Sequence, residues 1–168
     1  MQKQFRTTFR FIKWLILILL PTSLLGCAGT HPVAIDLANY VNQGVLRIAE
    51  LEQKSLERYA AVTGANYKGD QQVYDALKDW IIPLYTRFAN GLRKIRPETE
   101  EVQNLHGIYI RSSASLLDAF KMLEIAIESN DPSMIPSVNE KVEKGRMENE
   151  RWRRELGALA QKYKVKVE

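Results

Sequence analysis

Cysteine is nearly absent from this 168-residue chain; Cys27 stands alone, so no internal disulfide can form and stability must come from packing. Histidine is almost as scarce, with only His31 and His106. One thiol and two imidazoles do not make a structural zinc site, which takes several nitrogen or sulfur donors. The Cys-x-x-Cys-His attachment of haem is impossible. A di-iron site in a helical protein needs Glu-x-x-His, a spacing that turns both side chains inward, and Gln103 stands three residues before His106. A non-covalent haem on His106 and Met122, Met134 or Met147 is the one redox arrangement left open. Gly-x-Ser-x-Gly, His-Glu-x-x-His and a phosphate-cradling glycine loop are all missing. Ser112, Ser113 and Ser115 have His106 near them in sequence, but on another turn and with no orienting Asp. The inventory leads to the expectation of a non-enzymatic protein with no metal or cofactor.

A long apolar run is missing too. From Trp14 to Leu25 there are 12 residues, interrupted by Pro21. That is roughly 18 Å as a helix, where a bilayer core takes about 20 residues. Lys3, Arg6, Arg10 and Lys13 precede the run, and it ends in Leu24-Leu25-Gly26-Cys27. This ordering resembles the signal peptide and lipobox of a bacterial lipoprotein precursor. The resemblance implies cleavage before Cys27, acylation of its sulfur with palmitate-type chains, and attachment to a membrane of the cell envelope. Leu25 stands where lipoboxes usually carry a smaller residue, which implies slower processing. Ala28 after the cysteine is not an aspartate-type retention signal, so the expected address is the outer membrane if the source has one, and otherwise the outer face of the cell membrane.

Net positive charge is lacking once that segment is set aside. The chain holds 24 Lys and Arg against 20 Asp and Glu, and residues 1–26 contribute four of the basic ones and none of the acidic. The remainder is balanced at 20 against 20. Nucleic acid is therefore an unexpected partner, since phosphate backbones select a clustered positive field.

What is present, from about Pro32 onward, is helical periodicity. Leu37, Val41, Gly44, Ile48, Leu51, Ser55 and Tyr59 form a first stripe, closed at Thr63-Gly64. After a polar loop, Asp70 starts a second: Val73, Leu77, Trp80 or Ile81, Leu84, Phe88, Gly91, Ile95. Pro83 lies inside it and predicts a kink between Asp79 and Pro83. Pro97 suits the first position of a third helix, carrying Val102, Leu105, Tyr109, Ser112, Leu116, Ala119, Leu123 and Ala126. Asn130-Asp131-Pro132 ends that helix and caps a fourth, with Ile135, Val138, Val142, Gly145, Asn149, Trp152, Leu156, Leu159 and Tyr163. Steps of three and four are coiled-coil spacing. Short connections between long segments favour antiparallel neighbours. The expected architecture is all-α, an antiparallel up-down four-helix bundle over residues 36–168, preceded by a removed signal peptide (1–26) and a lipidated tether (27–35).

Besides Cys27, three residues invite attention as a ligand site or polar core. His106 flanks the third seam, with Ser113, Phe120 and Ile127 at seven-residue intervals. Its plain role is a hydrogen-bonded boundary histidine; its sharper one is ligand contact or proton sensing. Gly145 and Asn149 lie one turn apart in the fourth seam, as expected of close packing and register or, alternatively, of a small pocket. Trp80 and Trp152 read as core. Arg151, Arg153 and Arg154 sit among Glu148, Glu150 and Glu155 and read as an internally paired, solvated face. The function expected is an envelope lipoprotein whose bundle serves as a protein-interaction or structural module, with an unidentified envelope protein as partner. The alternative is a ligand-binding or sensory bundle.

Overall fold

Pro83 has no N–H to give the carbonyl one turn back, and its ring crowds that carbonyl. The chain meets this with a wide π turn, Leu77–Ile81, placed directly before it, in which the Ile82 N–H reaches Leu77 O. A second π turn, Tyr40–Val45, interrupts the first rod, with the Leu46 N–H reaching Val41 O. The computed structural model describes residues 31–166, so the Leu24–Cys27 lipobox lies outside the described residues.

Those residues are all-α. Four rods follow one another: α1 (Pro32–Asn39) with α2 (Leu46–Ala60), α3 (Asp70–Ala76) with α4 (Ile82–Leu92), α5 (Glu100–Glu128) and α6 (Ile135–Tyr163). Helix begins at Pro32, within the stretch assigned to the tether, with His31 Nδ1 accepting from the Val33 N–H at 3.3 Å. Asn130 takes a positive φ of 52° and closes α5, and Asp131 caps the next turn by accepting from the Ser133 N–H at 3.0 Å.

Each π turn accommodates one extra residue and rotates everything after it. In the second rod the buried line is therefore Val73, Leu77, Ile81, Tyr85, Phe88 and Leu92. Trp80, expected in the core, is 53 % exposed and lies under the Arg58 guanidinium, 5.2 Å from the ring centre. Leu84 gives up the seam to Tyr85. In the first rod Val45 and Glu52 are buried, while Gly44 and Leu51 are only half-buried. No π turn interrupts α5 or α6. In α5 Val102, Leu105, Tyr109, Ser112, Leu116, Ala119 and Ala126 are buried and Leu123 is half-buried; in α6 Val138, Gly145 and Trp152 are buried, while Ile135, Val142, Asn149, Leu156, Leu159 and Tyr163 of the expected stripe are only half-buried.

α5 begins at Glu100 rather than at Pro97, because its cap comes from another rod. Asp36 of α1 accepts from the Glu98 N–H at 3.0 Å, the Thr99 N–H at 2.7 Å and the Thr99 hydroxyl at 2.6 Å. A carboxylate at a helix N-terminus meets both the orphan N–H groups and the positive end of the dipole. Trp152 lies in the core as expected, 8 % exposed.

α6 packs along the length of α5 and also against α1, with few contacts to α2. α5 and α6 meet closely at Gly145, whose carbonyl accepts from the Ser112 hydroxyl at 2.8 Å. A Cβ added at Gly145 would stand 2.6 Å from Leu116 Cγ and 3.3 Å from the Leu116 backbone nitrogen. Gly145→Leu should therefore overpack this contact and lower stability by about 1 to 3 kcal/mol in urea unfolding. A variant as stable as the parent would show that the two helices can part here at no cost.

Candidate functional site

Glu52 is the least expected resident of the interior. The α2 carboxyl is 9 % exposed and is met by phenols from two other rods. Tyr109 of α5 donates to Oε2 at 2.5 Å, and Tyr85 of α4 donates to Oε1 at a longer 3.4 Å. Hydrogen bonds to an ionised carboxylate, each worth about 1.5 to 3 kcal/mol, favour the charged form. Burial opposes it and wins: loss of solvent pushes the Glu52 carboxyl above its ordinary value against the two phenols and the field of Arg153. The same burial, with the neighbouring carboxylate, drives both phenols upward.

Aromatic rings extend from this centre in two directions. Tyr109 stacks on Trp152 of α6 at 4.1 Å between ring centres and 20° between planes. Trp152 Nε1 donates to the Tyr40 hydroxyl at 3.2 Å, and the Tyr40 ring meets His106 edge-on at 5.6 Å. On the other side Tyr85 contacts Phe120 at 5.2 Å, and Phe120 contacts Tyr59 at 5.0 Å. Such pairs add about 0.5 to 1.5 kcal/mol each beyond area burial.

Beside Glu52, between α2 and α6, lies a cleft of about 350 Å³. Leu116 and Phe120 of α5 line it together with Leu56 and Tyr59 of α2 and Val142 of α6, an apolar surface, while Arg146, Asn149, Glu150 and Arg153 make its polar side. Arg146 is held by Glu143 at 2.7 Å and Glu150 at 2.5 Å. Arg153 Nε donates to Asn149 Oδ1 at 3.0 Å. The rim is thus charged but balanced. A larger hollow of about 820 Å³ lies along the C-terminal part of α6, between Arg153 and Lys166; it is shallow and has no buried polar group in its lining.

Of the three residues singled out in the sequence, Gly145 and Asn149 lie together near this cleft, and His106 lies elsewhere. Asn149 is half-buried on the cleft wall rather than enclosed in the seam. Gly145 belongs to the α5–α6 contact behind it. His106 is half-buried against Tyr40, with Nδ1 lacking a hydrogen-bond partner, and burial together with Arg96 lowers its pKa, which favours the neutral ring. Glu52 and Tyr85 escaped the sequence reading. The available signal was a seam position one residue beyond Leu51, and one beyond Leu84, once a π turn is allowed.

Ser112 donates to Gly145 O and Ser113 to Ile110 O at 3.0 Å, so both hydroxyls are committed to backbone. Among the described residues no group of three or more His, Cys, Asp or Glu side chains could hold a metal ion, and no helix is long and apolar enough to cross a membrane. Comparison with family models, curated proteins and solved structures gave no match.

Glu52 makes stability depend on pH with a definite sign. From the ordinary carboxyl value of 4.5 upward the unfolded chain releases its proton before the folded one does, so stability drains as pH rises through the folded value. Glu52→Gln removes that loss while keeping the shape. In urea unfolding the variant should gain on the parent as pH rises above 4.5 and show no such gain below it. A stability difference independent of pH would mean that the folded carboxyl is not raised.

Proposed function

We propose that this chain is a lipid-anchored protein of the cell envelope, on the outer membrane if the source has one and otherwise on the outer face of the cell membrane. Its helices form an antiparallel up-down bundle acting as a non-enzymatic protein-interaction module. The lipobox ending in Cys27 supports the address. End-to-end contacts support the arrangement: Ile48 against Gly91 and Ile95 against Gly44 run the first two rods in opposite senses, as Ser112 against Gly145 and Glu101 against Tyr163 do for the last two. The observation carrying the function is the α2–α6 cleft. It presents half-buried Tyr59 and Val142 beside 36 % exposed Leu56 and frames them with balanced charge, which fits a partner segment presenting apolar residues between charges of both signs.

A second reading, a ligand-binding or sensory bundle, is favoured by the buried Glu52 carboxyl and the Asn149 amide around the same space. Under it, Asn149→Leu leaves unfolding unchanged and abolishes the cellular role.

Two experiments test the first reading. Cys27→Ser should abolish fatty-acid labelling and release the domain or stall it as precursor; normal maturation and unchanged membrane retention of that variant would remove the anchor. A photo-crosslinking residue at Leu56 should trap a discrete envelope protein, while one at Ile125, 51 % exposed on α5 away from the cleft, should not. Equal trapping at the two positions would overturn the cleft as the interaction surface.

A further inference from the structure

Opposite ends of the domain carry opposite charge. One end gathers residues 31–36, 93–101 and 162–166. His31 stacks on Tyr163 with ring centres 4.6 Å apart, Tyr163 donates to Glu101 at 3.2 Å, and Asp36 holds Glu98 and Thr99. This end bears six cations, Arg93, Lys94, Arg96, Lys162, Lys164 and Lys166, against four carboxylates, one of which is the buried Asp36. Among the described residues no carboxylate forms an ion pair with any of the six. The other part of the domain, residues 57–79 and 118–143, has five cations against ten carboxylates.

We propose that the basic end is a docking surface for anionic lipid headgroups. It stands the bundle upright on its membrane, with the acidic end and the α2–α6 cleft turned to the aqueous space. This rests on the lipid anchor at Cys27 proposed above. Five residue-to-residue steps carry the chain from Cys27 to Pro32, and even fully extended they reach no more than about 18 Å. The end held at the surface is thus the basic one. Charges act on a membrane only within a Debye length, about 8 to 10 Å at ordinary salt, so the distribution of charge matters where the neutral total does not. Lying flat would press the acidic part against anionic headgroups; standing on the basic end avoids this and gains about fivefold in partition for each cation brought close. Leu56, Tyr59 and Val142 lie in the half of their rods away from the tether, which leaves the cleft free for a partner.

The test uses residues 27–168 carrying Cys27→Ser, so that no acyl chain contributes. Sedimentation with phosphatidylcholine vesicles, with and without phosphatidylglycerol, should show binding only to the anionic ones, weakening as salt rises. Reversing Lys94, Lys162 and Lys166 to Glu should weaken that binding on the order of 100-fold. Reversing Lys68, Lys78 and Lys121 to Glu changes net charge equally and should leave binding within a few-fold, with circular dichroism confirming that both variants keep their helix. Equal losses from the two triples, equal binding to both vesicles, no binding to either, or indifference to salt would overturn the docking surface. Fatty-acid labelling of the parent chain decides the anchor separately: labelling without a phosphatidylglycerol preference removes this proposal alone.

Discussion

The hydrogen bond from Tyr109 to Glu52 is the contact on which the interior depends. A carboxylate withdrawn from water costs several kcal/mol, and only well-formed partners make that tolerable. The partners here come from different rods, so satisfying one side chain from α2 positions α4 through Tyr85 and α5 through Tyr109. The Tyr109 ring then carries Trp152 of α6, whose indole N–H is tied back to Tyr40 of the first rod. All four rods converge on one phenol. Apolar seams of Leu and Val would tolerate sliding by a turn; a buried carboxylate with two phenols fixes the register because a slipped arrangement leaves it unpaired.

That convergence is possible only because the first two rods are not regular helices. Without the turn at Tyr40–Val45, Leu51 rather than Glu52 would face inward, and without the turn at Leu77–Ile81, Leu84 would displace Tyr85. Ser55 bridges the two rods, donating to the Ile81 carbonyl at 2.9 Å at the edge of the second wide turn. The proline that forces irregularity and the serine that absorbs an acceptor there act together, and the outcome is a polar pair at the centre of the core.

Legibility from sequence follows the same division. α5 and α6 keep an unbroken three-four alternation, and the α5 seam, the helix stop at Asn130 and the Asp131 cap could be read directly. In the first two rods an irregularity near Pro83 was readable, but it takes the form of a wide turn that shifts the phase of everything beyond it, and a periodicity read straight through puts Trp80 inside and Tyr85 outside. Glu52 was harder still. A glutamate among Leu51, Gln53 and Lys54 reads as surface unless its phenolic partners, 33 and 57 residues away, are known to arrive. Gly145 and Asn149 were recognisable as a gap and an amide in one seam; that the gap closes on Leu116 while the amide opens to a cleft depends on the packing of α6 against α5 and α2.

The cleft itself follows from the residues that occupy α6 on that side. Trp152 is large enough to bridge to Tyr40 and hold α6 against α1. One turn earlier stands Asn149, and at the next positions Arg146 and Val142, none of which can fill the space over Leu116 and Phe120. Arg146 is further drawn along its own helix by Glu143 and Glu150, so it supplies rim rather than filling. Meanwhile Gly145 and Ser112 hold α6 close on α5. Glu52 lies at the edge of the space left between α2 and α6. Complete closure would strip the last solvent from a carboxyl already pushed upward by burial. The buried carboxyl that fixes the register of the core thus also borders the open surface beside it.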